Sequence, residues 1–147
     1  ADVVEVQSGL QLSDGDDAPE DLTQRARVPH DVQVYRISGP LFFGAANRLD
    51  DLLDQFRVAP KVFILRMRLV PVVDASGMHA LETLLERCQR RGIALIISGL
   101  RPQPRRVFGK MHLRPREGAL HIAPDFDAAL VLAQELIAGT DVKDQTS

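Results

Sequence analysis

The segment Asp74-Ala75-Ser76-Gly77 sets a carboxylate, a hydroxyl and a glycine between an apolar run ending at Val73 and a helical pattern from Met78. A serine at a helix start can accept a backbone N–H through its hydroxyl, so Ser76 reads as the cap of that helix. The same place suits a phosphate, because free amides and the positive dipole end of a helix favour added negative charge. Both readings stand for Ser76, with Asp74 and Gly77 as its neighbours. A second group with chemical potential is Arg101, Arg105, Arg106 and Lys110, within a stretch from Arg87 to Arg116 that holds nine bases and no acid. Such a stretch suits an anion, a nucleotide, an acidic protein partner or an anionic lipid surface. It equally suits a solvated helix face, or pairing with acids elsewhere in the chain.

Other chemistries lack their residues. A phosphate-binding P-loop needs a glycine five residues before Gly109-Lys110, where Pro104 stands, and Ser or Thr after them, where Met111 stands. No GxGxxG occurs, and Asp74 occupies the first glycine position of a GxSxG nucleophile elbow around Ser76. His30, His79, His112 and His121 are scattered without metal-ligand spacing. The one cysteine, Cys88, excludes an internal disulfide and falls on the apolar stripe of a helix, where it reads as a small core residue. The expectation is a chain that is not an enzyme, with no metal site and no cofactor.

The elements that must position these residues follow from periodicity. Val32 to Ile37 is a β-branched run ending at Ser38-Gly39-Pro40, and Leu41-Phe42-Phe43 is a second short run; a hairpin through Gly39-Pro40 would pair them. Ala45, Leu49, Leu52, Leu53 and Phe56 have helical spacing, stopped by Pro60. Lys61 to Met67 reads as a strand buried on both faces. Met78 to Arg91 is a helix ended by Gly92, and Ile93 to Ile97 is another buried strand. A helix opens at Arg101-Pro102 and runs to about Leu113; Leu120 to Ile122 is a short strand; a last helix spans Phe126 to Ala138. Strands alternating with helices imply an α/β fold, with a mixed, largely parallel central sheet flanked by helices.

At 147 residues the chain suits one domain. Its 45% hydrophobic and 26% charged content is that of a folded domain, and no apolar run approaches the ~20 residues of a membrane span. Residues 1–31 carry a net charge of −6 and the remainder +4. The run Ser13-Asp14-Gly15-Asp16-Asp17-Ala18-Pro19 is turn-forming, so residues 1–31 read as an acidic, flexible leader, with a short edge strand at Val3 to Val6. The ordered domain spans 32–138, and 139–147 reads as a disordered tail. A start at Ala1 rather than Met fits a domain cut from a longer protein.

The segment Pro71-Val72-Val73-Asp74-Ala75-Ser76-Gly77-Met78-His79-Ala80-Leu81-Glu82 resembles the signature of the STAS domain family, shared by sulphate transporters and anti-sigma factor antagonists. The likeness extends from about Val32 to Leu136. Two further segments, Tyr35 to Ala46 and Gly99 to Arg106, are similar to the STAS domains of bacterial SulP-type anion transporters. The Gly-Glu-Leu-Asp type sequence common in antagonists is absent from the first. The resemblance implies a STAS-like sheet flanked by helices. It implies a regulatory and interaction domain of a SulP-type secondary anion transporter of the sulfate, bicarbonate or dicarboxylate class. Such a domain lies at the cytoplasmic face of the inner membrane, is soluble when alone, and has the membrane-spanning part of its own transporter as partner, with no nucleic acid. In antagonists the serine before the glycine of this motif is phosphorylated, and Ser76 occupies that position; Ala75 stands where many antagonists have a second serine. The alternative is therefore a free-standing anti-sigma factor antagonist switched at Ser76.

Overall fold

A computed structural model of the chain describes residues 5–8, 31–42, 49, 51–111 and 113–146. Five strands form one sheet: β1 (Glu5–Ser8), β2 (Val32–Ser38), β3 (Val62–Leu69), β4 (Ala94–Ser98) and β5 (Leu120–Ala123), side by side in that order. β2 to β5 are parallel, and β1 joins β2 antiparallel. Three helices accompany them: α1 (Ala75–Arg90), α2 (Pro102–Lys110) and α3 (Phe126–Thr146).

The layering follows from connection handedness. β2 to β5 add one after another in the same direction, so right-handed crossovers must lay their connections on one face. The 3-10 turn Leu53–Gln55, α1 and α2 all lie there, over Phe63, Leu65 and Met67 of β3 and Leu95 and Ile97 of β4. α3 follows the last strand and covers the opposite face, packing Phe126, Ala129, Leu130 and Ala133 on Val32, Val34, Val62, Ile64 and Ile96. Strands covered on both faces explain why β3 and β4 read as continuous apolar runs. Gly92, with φ +72°, turns the chain from α1 toward β4, a conformation that favours glycine.

Several expectations are corrected. Leu41 and Phe42 do not pair with β2 in a hairpin, and Phe43 lies outside the described residues. Leu41 instead makes a parallel bridge to Val73, and its N–H donates to the Val72 carbonyl at 3.0 Å. The turn at Gly39-Pro40 carries the chain past the end of β3, where the Gly39 N–H donates to the Leu69 carbonyl at 2.8 Å, so it cannot fold back on β2. The antiparallel component of the sheet comes from β1, inside the segment read as a flexible leader and two residues later than the expected edge strand at Val3 to Val6. The rest of that leader, residues 1–4 and 9–30, lies outside the described residues. The helix expected from Ala45 to Phe56 lies partly outside them; Leu49 is helical and Leu53–Gln55 is a single 3-10 turn. α2 ends at Lys110, earlier than Leu113, so Arg114 does not extend its face. α3 does not stop before Gly139 but continues to Thr146 through the expected tail. One glycine costs a helix only about 1 kcal/mol, and no proline follows to end it.

Candidate functional site

The motif segment connects the carboxyl end of β3 to the first turn of α1. Asp74, not Ser76, is the helix cap: its carboxylate accepts the Gly77 N–H at 2.8 Å, and its backbone is extended. Position decides this. The chain is already helical at Ala75, so Ser76 is the second residue of the helix and the side chain that can reach the third amide is that of Asp74. Ser76 is half-buried, and among the described residues its hydroxyl takes part in no hydrogen bond. No acid lies within the first turn of α1, so the Asp74 carboxylate is the negative charge nearest its amide end.

Gly77 is required by close approach. A Cβ there would fall inside contact distance of the Leu41 carbonyl oxygen and 2.9 Å from Val73 Cγ1. The Leu41 carbonyl also accepts the Asp74 N–H at 3.3 Å. The loop is held on its other flank by α2. Gln103 accepts the Val73 N–H at 2.9 Å through Oε1 and donates from Nε2 to the Val73 carbonyl at 3.1 Å. Sequence reasoning passed over Gln103; its only signal was a position one turn into a helix that follows the neighbouring strand.

Seven of the nine bases from Arg87 to Arg116 divide between two surfaces, and Arg114 and Arg116 lie beyond α2. Arg87, Arg90 and Arg91 at the end of α1 line a cavity of about 190 Å³ with Leu53 and Asp54. Arg91 there donates to the Leu53 carbonyl at 2.6 Å and the Phe56 carbonyl at 3.2 Å, and Arg87 lies 3.8 Å from Asp54. These groups tie the 3-10 turn to α1. Arg101, Arg105, Arg106 and Lys110 are all exposed on α2 or at its start, and none makes an ion pair among the described residues. Gln103 therefore belongs to both features, since it sits on α2 and grips the Ser76 loop. Among the described residues, no hydrogen bond links the four basic side chains to Ser76.

The remaining candidates have structural places. Cys88 is buried in the α1 core, and burial pushes its thiol up to about 12, against a smaller opposing effect of Arg91. His79 is exposed, and His121 Nε2 accepts the Gly118 N–H at 3.1 Å; His30 and His112 lie outside the described residues. Arg66 of β3 is fully buried beneath α3, with its guanidinium carbon 4.2 Å from the centroid of the Phe126 ring. Among the described residues, no group of His, Cys, Asp and Glu side chains could hold a metal ion, and no helix is long and apolar enough to cross a membrane.

The model of the STAS domain family matches residues 23–129. A solved sulfate transporter family protein from Wolinella succinogenes is 40% identical with a TM-score of 0.72, covering 82% of this chain and 99% of that one. The SulP transporter STAS domain from Vibrio cholerae is 29% identical with a TM-score of 0.64, covering 76% and 88%. The Bacillus subtilis protein named "Putative sulfate transporter YvdB" is 35% identical over 97 residues, which span 65% of this chain and only 18% of that protein. Solved anti-sigma factor antagonists at 13–16% identity share the fold. The family model, the fold and the motif loop agree: the chain belongs to the STAS domain family, in the branch carried by SulP-type sulfate transporters.

Proposed function

We propose that this chain is the regulatory and interaction domain of a SulP-type secondary anion transporter of the sulfate, bicarbonate or dicarboxylate class. It acts at the cytoplasmic face of the inner membrane and performs no catalysis of its own. The observation that carries this reading is the 40% identity to a sulfate transporter family protein over nearly all of that solved chain. The domain would act on the membrane-spanning part through the loop Asp74–Gly77, whose position Gln103 ties to α2 through its two bonds to Val73. The test is anion flux and assembly of the parent transporter in vesicles, with and without this domain. Altered flux or assembly is expected; unchanged values for both would overturn the reading.

Regulation at Ser76 is a second reading, favoured by one observation. Cap duty falls to Asp74, which leaves the half-exposed Ser76 hydroxyl uncommitted at the amide end of a helix. A phosphate there would carry about −1.5 to −2 charge into a favourable dipole but close to the Asp74 carboxylate. Such a group would loosen the cap as it formed. Intact mass of the protein isolated from its source cells tests this, with an added phosphate mapped to Ser76 expected and an unmodified Ser76 under all growth conditions against it.

A further inference from the structure

We infer that the outer face of α2 docks on an anionic phospholipid surface. The argument begins with which side of this helix is spoken for. Pro104 and Phe108 are buried, so Arg105, Arg106 and Lys110 fall on the outward arc. Arg101 precedes them at the helix start, and Arg114 and Arg116 follow in the chain after the helix has ended, all exposed. Between Arg101 and Arg116 there are six bases and no acid. Met111, 43% exposed, follows Lys110 at the end of the helix, so an exposed apolar side chain stands at the border of the basic face. That pattern suits the boundary between headgroups and acyl chains, where bases meet phosphate and an apolar side chain enters the edge of the hydrocarbon. An acidic protein would satisfy the charges but gives Met111 no role.

The arrangement also tolerates weak contact. Each base near an anionic surface strengthens partition about fivefold. This inference rests on the transporter reading for the nearness of a bilayer, since a tether raises the effective concentration of the surface. Docking at α2 would then fix how the Ser76 loop is presented, because Gln103 moves with the helix.

The test is co-sedimentation of the chain with vesicles of phosphatidylcholine alone, or with a third of the lipid replaced by phosphatidylglycerol, at low and physiological salt. Binding is expected only to the anionic vesicles, weakening with salt. The pair R105E/R106E should lower binding at least about tenfold at an unchanged melting temperature. R90E, on α1, should leave it unaltered. The chain contains no tryptophan, so M111W supplies a single reporter whose emission should move to the blue with anionic vesicles. Equal behaviour toward both vesicles, full binding by R105E/R106E, or an unmoved M111W spectrum in the bound state would overturn the inference. So would binding to polyglutamate without binding to vesicles, which would assign the face to an acidic protein. Flux and assembly of the parent transporter test the transporter reading separately, so a negative vesicle result leaves that reading standing.

Discussion

Gln103 and Val73 exchange two hydrogen bonds across a gap of 30 residues in the chain, one in each direction, at 2.9 and 3.1 Å. The side-chain amide of Gln103 has the same donor and acceptor pair as a peptide group. It thus serves the end of the β3 to α1 connection as a strand neighbour would, where β4 has already turned away into α2. Without it a partly buried N–H and C=O of Val73 lose their partners. Q103L should therefore cost about 1–3 kcal/mol, measured as a drop of several degrees in melting temperature. Exchange of the Val73 amide hydrogen should accelerate more than that of the β4 amides. Q103E retains the acceptor and should lose less protection at Val73 N–H than Q103L does. Equal protection in all three proteins would show that the loop holds itself.

Asp74 and Ser76 make opposite predictions from those of the motif read as sequence. If the cap is the aspartate, D74A removes a charge-assisted bond to the Gly77 amide and should cost about 1 kcal/mol. S76A removes a hydroxyl that no other described group uses, and its stability should lie within about 0.5 kcal/mol of the parent. Urea unfolding of both variants, analysed with a shared slope, distinguishes them. A larger loss for S76A than for D74A would return the cap to the serine.

The difference between those two residues also shows what was legible in the chain. Periodicity located β3, β4, α1 and α3, because each has a face or a pair of faces that must be buried, and the end of α1 was marked by Gly92. The loop motif was legible as a place, since a helix start leaves amides that need acceptors. It was not legible in register: a shift of two residues changes the cap from Ser76 to Asp74, and local patterns fix helix ends only that closely. Arg66 was hidden in the same way, because its alternate-face position on a central strand does not distinguish a buried cation from an exposed strand end. Gln103 and the bridge from Leu41 to Val73 depend on contacts between segments far apart in the chain, and no local pattern carries them.

Gly77 is the least replaceable residue of the loop on packing grounds. The atom that a Cβ would meet first is a backbone carbonyl oxygen, that of Leu41, which also accepts the Asp74 N–H. Backbone cannot rotate aside as a side-chain end can, so G77A must push the Leu41 segment off the loop. We expect a loss of about 1–3 kcal/mol, visible as a fall of some 2–10 °C in melting temperature. G109A, where nothing lies within 4 Å of the added methyl and a helix surrounds it, should be neutral or stabilising by up to about 1 kcal/mol. Similar melting of the two variants would mean that the contact at Leu41 relaxes freely.

Cys88 supplies the pH dependence. Desolvation in the core raises its thiol from 9.0 to about 12, outweighing the lowering influence of Arg91. The neutral thiol is therefore the native form, and the unfolded chain ionises first as pH rises. Stability from this group is complete below pH 9 and is lost as pH climbs toward 12, because the unfolded state binds fewer protons across that window. The slope is about −1.4 kcal/mol per pH unit well inside the window. C88A has no such ionisation, so its urea midpoint should fall less steeply than that of the parent between pH 9 and pH 11, even though the cavity it leaves lowers its stability at pH 7. At pH 8 the native thiol should also react with iodoacetamide far more slowly than the thiol of the urea-unfolded chain. Parallel stability curves for the two proteins above pH 9, or alkylation of the folded chain at the unfolded rate, would place Cys88 in contact with water and not in the core beneath α1.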